Sequence, residues 1–369
     1  MLRSRPEARN SLRAGLTARW MQLDRALDRA MPTLDQHVRR CERGFPQLRA
    51  RFAEDLWRGV ASELEARFED LGAGFYRLSR GSASTVVHGS ALMVDNVVSY
   101  RLAGHKPLSL KLLEQAGLGP LPQGRLLAAE RWTEALPMLE QGPVVVKPAA
   151  DSGAGRGVST YVCSEEQLRT AVRAAARCDS QIMIEPQVEG HSYRLLYLDG
   201  ELISAIRRER PRVTGDGKHT IRELMRAETE ARLGSDTPRA LSPLQCDLDA
   251  RNFLEFHGLH VQHRLSAGHT LPVKGACNQN SAQDNVDITG RVCPEVEELG
   301  RQACATLQLR FAGVDLIAPT LDVSLAASGG VINELNTTPG LHHHYLIRGG
   351  APRRGPAAIV VERLLEDAQ

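Results

Sequence analysis

Val331-Ile332-Asn333-Glu334-Leu335-Asn336-Thr337-Thr338-Pro339-Gly340 reads as a strand that ends in two polar side chains and a turn. A short β-branched run leads to a carboxylate, a spacer and a carboxamide, and a Pro-Gly pair then stops the strand. Residues i and i+2 of an extended strand face the same side, so Glu334 and Asn336 present their oxygens together. Upstream, Gly313-Val314-Asp315-Leu316-Ile317-Ala318-Pro319 reads as a second strand with Asp315 among apolar neighbours. If the two strands pair, three oxygen-bearing side chains converge, a donor set suited to a hard cation such as Mg²⁺. The same residues fit an exposed strand end with polar decoration equally well. The metal reading therefore depends on whether the rest of the chain supplies partners for a phosphate.

Composition narrows the classes. The chain has 369 residues, room for two or three subdomains and a sizeable core. A net charge of +2 makes no electrostatic case for nucleic acid or a membrane, and 4% aromatic residues argue against a base-stacking surface. No apolar run approaches the roughly 18 residues of a membrane span. The Arg-containing N-terminus lacks the apolar core of a secretory signal. Seven scattered cysteines without a CxxC pair point away from a disulfide framework or structural zinc and towards the cytoplasm. Of the 46 basic residues only five are lysines, at 106, 111, 147, 218 and 274. In so Arg-rich a chain, a lysine inside a motif marks a place for a compact ammonium.

Periodicity predicts helices from residue 1 to about 72, with Leu12, Leu16, Trp20, Leu23 and Leu27 and then Leu48, Phe52, Leu56 and Val60 on one face. They are read as a packing or oligomerisation layer, with a homodimer as the assembly considered. Short strands are expected from Gly74 to about Tyr100, then a helix opening at Lys106-Pro107. Val144–Pro148 reads as a strand that carries Lys147 into Asp151-Ser152-Gly153-Ala154-Gly155-Arg156-Gly157, a loop whose amides can approach a ligand. Neither a Walker A nor a Rossmann spacing is present, and a plain hairpin turn would explain the glycines as well. A helix capped by Ser164, a strand ending at Glu185-Pro186, a hairpin across Asp199-Gly200 and a capped helix from Thr220 follow. Residues 234–270 are the least legible.

The order Lys106, Lys147 with its glycine loop, Glu185, Asp315 and Glu334-x-Asn336 resembles the ATP-grasp family of carboxylate–amine ligases, and within it the ATP-grasp region of cyanophycin synthetases. The strings that carry the likeness include Gly215-Asp216-Gly217-Lys218-His219-Thr220-Ile221-Arg222-Glu223-Leu224 and Gly313–Pro319. It spans roughly residues 95–345; the N-terminal helices and a following Mur-ligase-like domain have no counterpart in it. The resemblance implies an α+β fold in which two α+β subdomains clasp ATP, preceded by a mainly helical region. It implies boundaries at 1–90, 91–183 and 184–369.

It also implies roles. Lys106 and Lys147 would neutralise the phosphates, with Ser152, Gly153, Gly155 and Gly157 in a lid over them. Glu185, Pro186 and Val188 would form the adenine segment, and Glu189 would replace the acidic ribose ligand where this chain has Ser192. Asp315, Glu334 and Asn336 would hold two Mg²⁺ ions. Arg194, Arg207 and Arg208 would grip a carboxylate or acyl phosphate, although each also fits a solvated surface residue. Lys274, which opens a polar segment where cyanophycin synthetases are Gly-rich, joins them as a catalytic candidate. Gly340, His342 and His343 would border the acceptor pocket; three adjacent histidines cannot all face one zinc ion. His105 departs from the Asp common before the first lysine. The implied activity is ATP- and Mg²⁺-dependent joining of an amino acid or peptide carboxylate to an amine, with small-molecule substrates. A D-alanine–D-alanine-type or glutathione-synthetase-like ligase, or a small-molecule kinase, is the alternative.

Overall fold

The computed structural model describes residues 44–150, 153–235, 237–352 and 354–368. The helices and dimer layer expected before residue 44 lie outside them. The chain divides into a smaller unit, Gln123–Gln187, and a larger one, Cys41–Pro122 with Val188–Gln369.

The larger unit opens with helix α1, Gly44–Glu63, which buries Phe45, Leu48, Trp57, Val60 and Ala61. The helical reading to residue 72 fails here. Ala66 donates its amide to the Ala61 carbonyl at 2.8 Å and Glu65 turns into the left-handed region at φ 52°, a Schellman-type stop. The usual glycine is absent, which hides the stop from the sequence. Strands β1 Arg67–Gly72, β2 Phe75–Arg80, β3 Ala83–His88 and β4 Ala91–Leu92 then form an antiparallel meander. Val97–Gly104 is helix α2, not strand, because Asn96 caps it by accepting from the Val98 and Ser99 amides. Helix α3, Lys106–Gln115, follows.

The smaller unit holds β5 Arg125–Ala128, β6 Val144–Pro148, β7 Ser159–Val162, helix α4 Glu165–Ala176 and β8 Gln181–Pro186. Its antiparallel sheet has the order β5-β8-β6-β7. Ser164 caps α4 through the Gln167 amide, as its sequence predicts.

The chain returns to the larger unit with β9 His191–Leu198 and β10 Glu201–Arg208, joined by Asp199 and Gly200 at positive φ. Then come β11 Arg212–Thr214, α5 Ile221–Leu233, α6 Leu248–Phe256, β12 Thr270–Pro272, β13 Asn285–Asp287 and α7 Pro294–Thr306. The last elements are β14 Phe311–Ala318, the short helix α8 Leu325–Ser328, β15 Val331–Asn336 and α9 Pro356–Asp367. The central antiparallel sheet runs β13-β10-β9-β14-β15. Tyr197, on one face, packs so tightly on α7 that a Cβ at Gly300 would lie 2.2 Å from its hydroxyl. On the other face Leu196, Leu198 and Phe311 join Trp57, Leu78, Val87, Val361 and Leu365 in one core. That core anchors one end of the face whose other end carries the polar groups below.

Candidate active site

Two irregularities compose that polar end. Arg194 on β9 stands opposite Asp315 on β14, and Asp315 stands opposite Glu334 on β15. Directly opposed residues share a face, so the three form a row across the sheet. Regular pairing onward from Leu316–Ile332 would set Asn333 against Asp315. A bulge there moves Glu334 into that place and puts Asn336 opposite Gly313. A second bulge, between Leu202 and Ser204, sets Arg208 rather than Arg207 opposite Ser192. Arg208 thereby joins the row, and Arg207 turns to the other face, where it pairs with Glu209 at 3.0 Å.

Asp315 accepts from Arg194 Nε and Nη2 at 2.7 Å each and from Arg208 Nη2 at 2.9 Å. Burial opposes its charge, yet the two guanidiniums hold its carboxyl below the usual range. Arg208 also donates to Ser192 Oγ at 2.7 Å, which ties up that hydroxyl. Lys106 Nζ lies 3.6 Å from Glu334 Oε2, a charge contact longer than a hydrogen bond. Asn336 Nδ2 donates to Glu334 Oε1 at 3.3 Å, so its carboxamide oxygen stays free to serve as a ligand. Lys106 is presented by the first turn of α3, which the His105 ring caps through the Leu108 amide at 3.3 Å. Three cations, Arg194, Arg208 and Lys106, face two carboxylates, Asp315 and Glu334. The excess of positive charge suits an anionic ligand.

The donor set has room for a cation. A carboxylate offers about four lone-pair sites. Asp315 Oδ1 accepts one hydrogen bond and Oδ2 two, so Oδ1 retains a site. With Glu334 and Asn336 that makes two carboxylates and a carboxamide, all oxygen, as Mg²⁺ requires. Among the described residues no three His, Cys, Asp or Glu side chains cluster as a metal site, so a cation held here draws on the Asn336 carboxamide as well.

Pro339 turns back over β14, where a Cβ on Gly313 would lie 2.8 Å from Pro339 Cβ. The turn continues into Leu341–His344. Burial, then the charges of Arg194, Arg208 and Arg49, push His342 down to about 4. Burial likewise takes His343 and His344 well below the ordinary histidine value. The His342 and His343 rings lie 4.0 Å apart, and His344 Nδ1 meets Ser204 Oγ at 2.7 Å. Sequence reasoning reaches His344 only as one of the histidine triplet and misses Ser204, whose signal is the alternation that puts it on the Arg208 face.

In the smaller unit Lys147 Nζ pairs with Glu185 Oε2 at 2.8 Å, both side chains sealed from solvent. Glu185 Oε1 is buried without a hydrogen-bond partner, an acceptor for an incoming donor. Gly124 gives Glu185 its place, since a Cβ there would lie 2.6 Å from Glu185 Cγ. Pro186 ends β8, and Val188 begins the return to the larger unit. Ser152 lies outside the described residues. Gly153 and Gly155 form a short 3₁₀ turn, and Gly157, at φ 74°, has Pro148 Cγ and Ala175 Cα within 3.2 Å of a would-be Cβ. Glu189 is 64% exposed beside Arg210. Lys274 is gathered elsewhere, buried against Asp247 and 4.0 Å from Asp249 at the start of α6.

Residues 115–214 match the profile of the D-ala D-ala ligase C-terminus. Cyanophycin synthetase of Geminocystis herdmanii is 26% identical over 295 residues, covering 79% of this chain and 33% of that protein. The glutathione biosynthesis bifunctional protein GshAB of Enterococcus faecalis is 26% identical over 318 residues, 84% of this chain and 42% of its own length. A bifunctional glutathione synthetase from Pasteurella multocida superposes with a TM-score of 0.50 at 21% identity, over 82% of this chain and 41% of that one. The chain thus spans about a third of the length of the cyanophycin synthetases it matches. Among the described residues no helix is long and apolar enough to cross a membrane.

Proposed function

We propose that this chain, a member of the ATP-grasp ligase family, activates the carboxylate of an amino acid or peptide with ATP and joins it to an amine, releasing ADP and phosphate. The observation that carries the reading is the row Arg194–Asp315–Glu334, flanked by Asn336 and Lys106 on one face of the central sheet.

In this reading Lys106 and Lys147 neutralise the phosphates, and the Gly153–Gly157 turn covers them with backbone amides. Glu185, Pro186 and Val188 take the adenine, and Glu189 the ribose. Glu334, Asn336 and Asp315 Oδ1 would hold Mg²⁺, which when bound draws charge from the phosphoryl group. Arg194 and Arg208 orient the substrate carboxylate. A carboxylate oxygen attacks the γ-phosphorus, the bond to the β-phosphate oxygen breaks, and ADP leaves. The amine nitrogen then attacks the acyl carbon, and phosphate departs with the carbon–oxygen bond pair while the ammonium proton passes to solvent. Arg207, on the opposite face, and Lys274, held by Asp247, act by supporting the sheet edge and the loop after β12.

A phosphate-release and mass-spectrometric screen with ATP, Mg²⁺ and pooled amino acids, dipeptides and amines tests the reading. ADP with an amide product is expected. AMP, or a stable phosphorylated product, overturns it.

A further inference from the structure

We infer that Ser204 and His344 form a further substrate-binding element, in which His344 presents its Nε2–H to a substrate carboxylate and Ser204 fixes the tautomer that makes this donor. The inference rests on the ligase reading and adds to it a group outside the arginines and the metal ligands.

Ser204 and His344 are buried, at 8% and 1% exposure, and are joined by the 2.7 Å contact between Oγ and Nδ1. A hydroxyl donates one proton, and a neutral imidazole has one donor and one acceptor nitrogen. The Ser204 side chain has no other acceptor among the described residues, so its proton goes to Nδ1 and the ring proton sits on Nε2. This assignment follows from satisfying the network. His344 Nε2 is then a buried N–H without an acceptor, which a folded protein rarely leaves so. Arg208 Nε, at 8% exposure, is in the same state.

The two groups belong together. Ser204 is four residues before Arg208 on β10, on the same face, and the charges of Arg194 and Arg208 bear on the His344 ring. Both unsatisfied atoms are donors, and the ring is held neutral, so it adds a directed N–H without a further repelling charge. An acceptor for either must bring oxygen, and among these cations it is favoured if it also brings negative charge, as a carboxylate does. It can be the carboxylate being activated or one carried by the incoming amine; the chemistry is shared.

Long-range ¹⁵N–¹H spectroscopy of the whole chain at pH 7 tests the pair without turnover. The Nε2–H tautomer of His344 is expected in the wild type and in Ser204→Thr, and a tautomer mixture in Ser204→Ala. Acetate should shift the His344 nitrogens, and methylammonium should not. For an acid and amine found by ADP release, His344→Phe and Ser204→Ala should raise KM for the carboxylate-bearing reactant tenfold or more, with kcat changed less than threefold. His344→Gln, which restores an N–H near Nε2, should recover most of the loss. With hydroxylamine as acceptor, a KM effect that persists on the acid assigns the activated carboxylate; one that vanishes assigns the acceptor's. An Nδ1–H tautomer in the wild type, no response to acetate, or an unchanged KM in a folded His344→Phe overturns the inference. Absence of ADP release from the wild type with every pair would instead overturn the ligase reading, and the acetate titration would still judge this one.

Discussion

Lys147 and Lys106 each stand beside a glutamate, one pair in each unit, and the pairs differ in burial and in reach. Lys147 and Glu185 touch at 2.8 Å with side chains 6% and 4% exposed. Lys106 and Glu334 are 3.6 Å apart and 12% and 24% exposed. A sealed, short pair holds a lysine in one position at the cost of desolvating both charges. An open, longer one leaves both partners free to exchange each other for a phosphate and a cation. The first pair fixes its lysine as a mount at the site and the second leaves its partners open to exchange, although each lysine sits where the chain spends one of its few ammonium groups.

The largest expected effect comes from breaking the mount. Glu185→Ala removes the carboxylate from a buried ion pair and should destabilise the protein by about 3–5 kcal/mol in urea unfolding. A loss below 1 kcal/mol would erase the distinction between the pairs. Glu334→Gln should do the reverse, lowering turnover by about two orders of magnitude, as loss of a charge-stabilising group does, with unfolding unchanged within about 0.5 kcal/mol. Gly157→Ala would force a left-handed residue against Pro148 and Ala175. It should cost about 1–3 kcal/mol and raise the KM for ATP. The smallest effect separates the units by pH. Gln123–Gln187 has no histidine, whereas His342 in the larger unit titrates at about 4 against an ordinary 6.5. Its folded pKa is depressed, so the unfolded chain takes up the proton first and stability falls as pH drops from 6.5 towards 4. From pH 6.5 to 5.5 this one histidine removes about 1 kcal/mol. Hydrogen exchange corrected for intrinsic rates should show the loss in the larger unit's peptides, and His342→Phe should diminish it.

What the chain disclosed in advance was chiefly what local chemistry controls. Thr220 caps its helix as expected, in a capping box with Glu223, and Asp216 takes the Lys218 and His219 amides in the turn before it. The long Gly215–Leu224 string is therefore a folding device: a Cβ at Gly215 would lie 2.4 Å from the Ser266 carbonyl oxygen. Pattern leaves open whether the Asp315 and Glu334 strands pair, and β14 and β15 do pair, with Asp315 opposite Glu334. What stayed hidden were one-residue irregularities. The bulge at β10 inverts which of Arg207 and Arg208 faces Asp315, and no local signal marks it. The stop after α1 uses Glu65 where a glycine would have announced it. The partners of Lys274, Asp247 and Asp249, lie 27 and 25 residues upstream in the stretch that pattern could not read, so its burial was invisible.

In the proposed reaction a substrate carboxylate attacks the γ-phosphorus of ATP before the amine arrives. Turnover with a carboxylate labelled in both oxygens with ¹⁸O measures it directly. Mass spectrometry should find one ¹⁸O in the released inorganic phosphate and none in ADP. Unlabelled phosphate, or label appearing in AMP, would contradict it.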